Sequence, residues 1–174
     1  MLPARRLSLL RSLLRSMGLA LLAGVFAFLP QPVPAQTSKA VDELYLQAQT
    51  AMSKGRPEDA VNVLRRAIDQ APDRADLYML RSRARDASGK YDAALDDASK
   101  YIELKPDDAA GYLNRARIYS SQEKNTEALR DAEKAIAIAP LEADGYFRRA
   151  DIYSDMGKVA EAKADEIKAA QLDR

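Results

Sequence analysis

Residues 101–119, YIELKPDDAAGYLNRARIY, read as helix on both sides of one residue, Pro106. Proline has no backbone N–H and its ring clashes with the preceding turn, so it stops a helix instead of continuing it. Prolines stand 34 residues away in both directions, at Pro72 and Pro140. A helix breaker at a fixed interval predicts a repeated unit longer than one helix and shorter than a domain. Blocks of 34 starting at Val41, Ala75, Ala109 and Ala143 place these three prolines at position 32, and the fourth block ends at Arg174.

Other columns obey the same interval. Position 4 holds Leu44, Tyr78, Tyr112 and Tyr146, and position 8 holds Ala48, Ser82, Ala116 and Ala150. Position 15 holds Gly55, Gly89, Glu123 and Gly157, and position 20 holds Ala60, Ala94, Ala128 and Ala162. Position 27 holds Ala67, Tyr101, Ala135 and Ala169, and position 28 holds Ile68, Ile102, Ile136 and Ala170. Small residues at 8 and 20 allow two helices of one unit to cross closely. Larger residues are expected at 4, 11 and 24 to fill the space between units, although position 24 here holds Leu64, Ala98, Ala132 and Glu166. Glycine at 15 suits the left-handed conformation that ends a helix. Asp73, Asp107 and Asp108 follow the prolines, where carboxylates accept from free N–H groups at the next helix start.

This pattern resembles the tetratricopeptide repeat, a helix–turn–helix unit of 34 residues. The resemblance implies an all-α, right-handed α-solenoid of about four units, with repeats at 41–74, 75–108, 109–142 and 143–174. Three departures predict weaker local packing: Leu44 and Ala51 in the first repeat where aromatics are usual, and Arg85 at position 11 of the second. The fourth repeat carries Glu166 at position 24, and with Lys163 and Lys168 it would give a terminal repeat its polar outer face.

Composition narrows the function. The sequence has no cysteine and no histidine. That removes disulfides, thiolate nucleophiles, the imidazole base and the commonest metal ligands. No glycine-rich phosphate loop occurs. The paired carboxylates Asp96-Asp97 and Asp107-Asp108 read as solvated or capping groups. Arg5, Arg6, Arg11 and Arg15 precede the first acidic residue, Asp42; beyond these four, 23 basic residues face 26 acidic ones, a balance of about −3. A mildly acidic body argues against nucleic-acid binding. The expectation is a protein with no catalysis, no cofactor, no metal and no nucleic acid, whose partner is a protein or peptide.

Residues 1–35 divide into a basic part up to Arg15, an apolar run from Met17 to Leu29, and a proline-rich stretch ending in small residues. This order describes a secretory signal peptide, with the cut after Ala35 and residues 36–40 as a short leader. Thirteen residues span about 20 Å as a helix, short of the roughly 30 Å hydrocarbon core. The expected location is therefore outside the cytoplasm, in a bacterial periplasm or secreted. The alternative is a structural or assembly subunit of a membrane-associated complex, held by the same segment uncleaved.

In the family the first helix of each unit lines a concave face, through positions 2, 5, 9, 12 and 13. Position 5 reads Tyr45, Met79, Leu113 and Phe147, and position 9 includes Arg83 and Arg117. Position 6 supplies Asn114 and Arg148 in the last two units. An apolar stripe beside several arginines suits an extended peptide that carries apolar anchors and a carboxylate. The clamp with which some relatives hold the acidic C-termini of cytosolic chaperones is matched only by Asn114 and Arg148; Met79, Arg83 and Asp144 depart from it. Arg117 and Arg148 are read here as solvated, so that reversing their charge would leave stability nearly unchanged.

Overall fold

The computed structural model describes residues 35–173, with side chains from residue 38. These contain eight helices and no strand: α1 (Ala35–Ser53), α2 (Pro57–Gln70), α3 (Ala75–Ala87), α4 (Tyr91–Leu104), α5 (Ala109–Ser121), α6 (Asn125–Ile138), α7 (Ala143–Asp155) and α8 (Val159–Leu172). The expected signal segment lies outside the described residues, apart from Ala35. Residues 36–40, read as a leader, are helical and continuous with α1.

Successive helices pack as antiparallel hairpins, α1 on α2 through α7 on α8, and each hairpin stacks on the next. The odd-numbered helices of neighbouring units also touch one another. Among the described residues no two even-numbered helices do so. A stack whose contacts are tighter on one side bends toward that side, so α1, α3, α5 and α7 form the inner, concave face of an α-solenoid.

The prolines mark the joints. α2, α4 and α6 end at Gln70, Leu104 and Ile138, each two residues before Pro72, Pro106 and Pro140. Their carbonyls have a use that the helix-breaking argument does not contain. Tyr78, Tyr112 and Tyr146 donate their hydroxyls to Pro72, Pro106 and Pro140 at 2.8, 3.2 and 3.2 Å. Columns 4 and 32 are thus one contact, which ties each inner helix to the turn before it. The acidic residues after the prolines cap less than expected. Only Asp108 accepts at a helix start, from the Ala110 N–H at 3.0 Å. The residues at the equivalent place in the other units, Arg74 and Glu142, make no such side-chain bond.

Position 15 adopts a positive φ in every unit: 66° at Gly55, 71° at Gly89, 72° at Gly157 and 58° at Glu123. A side chain there crowds the following carbonyl, at a cost of roughly 1–2 kcal/mol. Glu123→Gly is therefore expected to raise stability by about 0.5–1 kcal/mol, after the extra freedom glycine gives the unfolded chain is discounted. A urea midpoint equal to or below that of the parent would show that Glu123 carries no strain.

Each unit buries small residues where its helices cross. Ala48, Ala60, Ala94, Ala116, Ala128 and Ser82 are fully buried. The first unit is not loosely packed. Val41, Leu44, Ala48 and Ala51 belong to one buried cluster with Leu64, Leu77 and Tyr78, because the smaller residues meet bulky ones from the neighbouring helices. Arg85 does not weaken the second unit either: its guanidinium donates to Asp97 at 2.8 Å and to the Ala93 carbonyl at 3.0 Å.

A second periodic contact joins the two helices of each later unit. Arg81, Arg115 and Arg149, at position 7, grip Asp97, Asp131 and Asp165, at position 23, through Nε and Nη2 at 2.7–2.9 Å. The three carboxylates are buried. The hydrogen bonds that Arg115 donates to Asp131 raise its pKa, and those that Arg149 donates to Asp165 raise its own, so both stay charged at any accessible pH. Each arginine also lies over the position-4 tyrosine ring, 5.6–5.9 Å from its centroid. The first unit holds Gln47 and Val63 at these positions. In the last unit Lys163, Glu166 and Lys168 are exposed.

Tyr101 is buried at the joint between the second and third units and donates to Asp108 at 2.5 Å. Burial, then the Asp108 hydrogen bond, pushes its phenol up to about 12. Below pH 10 both folded and unfolded chains keep this proton. As pH rises from about 10 to about 12, the unfolded chain loses it first, so stability falls across that window. Tyr101→Phe is expected to flatten this alkaline loss in urea midpoints taken between pH 9 and 12. An unchanged slope would assign the loss to other groups.

A candidate partner groove on the concave face

The inner faces of α3, α5 and α7, with Met52 of α1 at one edge, enclose an open concavity of about 640 Å³. Its lining comes from repeat positions 2, 5, 6, 9, 12 and 13, so the helical period carries this set to one side. Six of the eight residues singled out from the sequence lie in it: Arg83, Leu113, Asn114, Arg117, Phe147 and Arg148. The other two do not. Met79 is buried in the core with Leu77 and Tyr78. Tyr45 packs partly buried against the same cluster, beneath Arg74 at 5.7 Å. The apolar stripe is therefore confined to Leu113 and Phe147, of which Phe147 is 42% exposed.

The arginines differ from one another. Arg117 pairs with the buried Asp86 and donates to Asn114 Oδ1 at 3.3 Å. Asn114 is itself buried, donating to Ser82 Oγ at 2.8 Å, and Ser82 donates to the Ala94 carbonyl at 2.9 Å. Ser82, Asn114, Arg117 and Asp86 form one network that joins α3 to α5. Arg117 is thus no solvated residue: reversing its charge sets a carboxylate against buried Asp86. Arg148 pairs with Asp151 on its own helix at 3.2 Å. Arg83 is exposed and makes no ion pair or side-chain hydrogen bond among the described residues.

Two buried atoms of the lining have no partner, Asp86 Oδ1 and Arg148 Nε. Asp86, at position 12 an acidic neighbour of the groove arginines, is buried and neutralises Arg117. Next to the concavity, and sharing Ala110, Leu113 and Asp144 with it, runs a smaller depression that contains Asp107, Asp108 and Glu142. No cluster of residues suited to holding a metal ion occurs among the described residues.

Three family models described as tetratricopeptide repeat match residues 45–109, 109–139 and 143–174. The chain belongs to the tetratricopeptide-repeat family. The matches tile the helical units, with the joins near Ala109 and Ala143. Among solved structures, a crystal structure of MamA is 26% identical, with a TM-score of 0.68 over 76% of this chain and 78% of the other. The crystal structure of TTC0263, a thermophilic TPR protein in Thermus thermophilus, is 22% identical with a TM-score of 0.69, over 78% and 79%. MamA 41-end from Desulfovibrio magneticus RS-1 is 18% identical with a TM-score of 0.68, over 77% and 76%. The two less similar structures speak for the fold alone. A comparison with curated protein sequences finds no match.

Within the tetratricopeptide-repeat frame the Arg–Asp column at positions 7 and 23 is the feature that sequence reading passed over. It was legible as Arg81, Arg115 and Arg149 each followed 16 residues later by aspartate. It lies between the helices of a hairpin and takes no part in the groove lining.

Proposed function

We propose that this chain is a non-catalytic interaction scaffold that binds a peptide or protein segment in the groove lined by α3, α5 and α7. The observation that carries this reading is the open concavity, in which exposed Phe147 and half-buried Leu113 stand beside cationic and anionic side chains. Apolar area at the centre with charge around it is the arrangement by which repeat proteins hold extended segments. The partner is a protein, with no nucleic acid, metal or cofactor required. The reading includes export: residues 1–35 serve as a signal peptide cut after Ala35, supported by their basic, apolar and small-residue order. The N-terminal sequence of the exported protein tests this part, since a start at Met1 would favour the membrane-held alternative.

The groove is tested by Phe147→Ala combined with Arg148→Glu. Both side chains line the concavity, and neither belongs to the core clusters. Loss of an apolar anchor and of a charge-assisted contact is expected to lower recovery of crosslinked partners at least tenfold, with helicity preserved. Undiminished recovery would move the binding surface off the concave face.

A further inference from the structure

The groove carries opposite charges at its two ends, and two of its buried polar atoms lack partners. We infer that its occupant is an extended segment of mixed charge, with an acidic residue placed at Arg83 and a basic residue at Asp144. This inference rests on the groove reading above and specifies what the groove selects.

Arg83, at position 9 of α3, is exposed and unpaired among the described residues. Asp144, at position 2 of α7, is likewise exposed and makes no ion pair or side-chain hydrogen bond among them. Around Asp144 lie Asp107 and Glu142, so the negative end is continuous with the neighbouring depression. The remaining charges of the groove are already matched, Arg117 with Asp86 and Arg148 with Asp151. Among the described residues the groove therefore presents one free cation and one free anion, diagonally opposed. A segment charged with one sign would satisfy one end and be repelled at the other. Charge of the right order satisfies both.

Two buried atoms of the lining residues are without partners. Asp86 is 9% exposed; its Oδ2 takes Arg117, while its Oδ1 is buried without a donor. Arg148 Nε is buried without an acceptor. A buried acceptor and donor left open are costly unless something completes them. A main-chain N–H and carbonyl of the segment would complete them once these two side chains turn toward the groove.

The spacing follows from the fold. Seven positions of helix rise separate Arg83 from Asp144 along the repeat, about 10 Å. Two inner-helix spacings of about 9 Å separate α3 from α7. The diagonal is about 20 Å, which an extended strand covers in about six residues.

The test uses the full chain and four eight-residue peptides with blocked termini and a central leucine. One peptide has glutamate and lysine six residues apart, the second has them in reverse order, the third has two glutamates and the fourth two lysines. One of the two mixed orders is expected to bind at least tenfold tighter than either single-sign peptide. In the double variant Arg83→Glu with Asp144→Lys, preference should switch to the opposite mixed order. These substitutions are on exposed side chains, and helicity by circular dichroism confirms the fold. Tightest binding of the two-glutamate peptide, or a preferred order that survives the double reversal, overturns the inference and leaves the groove reading standing. Failure of all four peptides while Phe147→Ala with Arg148→Glu still abolishes partner recovery does the same. Failure of all four with undiminished recovery in that variant removes both.

Discussion

Asp131→Val destabilises the protein by roughly 2–4 kcal/mol, and adding Arg115→Gln restores most of the loss. Asp131 is held by two hydrogen bonds from Arg115, at 2.7 and 2.9 Å. Removing one member of a buried pair typically costs 3–5 kcal/mol, because the other charge stays desolvated and unmatched. The Arg115 side chain is 23% exposed and keeps some access to water, which places the expectation at the lower part of that range. Replacing both members removes the stranded charge as well. The molecule contains its own precedent: the first unit has Gln47 and Val63 at these positions and still packs into a buried cluster. Melting temperatures of the two single variants and the double variant form a thermodynamic cycle. A double variant as unstable as the sum of the singles would mean that the pair is not a closed unit. Ser99, which also accepts from Arg115 at 3.1 Å, would then share the role.

Gly111→Leu costs about 1–3 kcal/mol, although leucine is the better helix former. A Cβ at Gly111 would lie 2.7 Å from Tyr101 Cδ1 and 2.9 Å from Ile102 Cγ1. The helix-propensity gain of about 1 kcal/mol is smaller than the cost of moving two packed side chains. At the preceding joint the sizes are reversed. Leu77 stands at position 3 and Ala67 at position 27, and both are fully buried. Large and small have exchanged places across the two joints, with Tyr101 opposite Gly111. Tyr101→Ala alone should cost about 3–5 kcal/mol through the cavity it leaves. Combined with Gly111→Leu, it should cost clearly less than the two together. Strict additivity in urea titrations would show that the two positions do not share a space.

The repeat was legible because its columns are set by local requirements that act identically in every unit. A turn needs a residue tolerant of positive φ, so Gly55, Gly89 and Gly157 recur. A helix must stop, so Pro72, Pro106 and Pro140 recur. A close crossing admits only small side chains, which accounts for Ala60, Ala94, Ala128 and Ala162. The concave positions that the family resemblance implies then placed Arg83, Leu113, Arg117, Phe147 and Arg148 on one face.

Whether a residue on that face is free or engaged depends on what the neighbouring helix presents, and no column of one unit contains that information. Met79 went into the core and Phe147 into the groove from the same position 5. Arg83 and Arg117 share position 9; one is unpaired among the described residues, and the other is tied to an aspartate 31 residues away. The sequence by itself determined the family, the repeat interval and, through the family, the positions from which a groove is built. Only the tertiary structure decided which of those side chains remain available to a partner, because pairing and burial are properties of the contact between units.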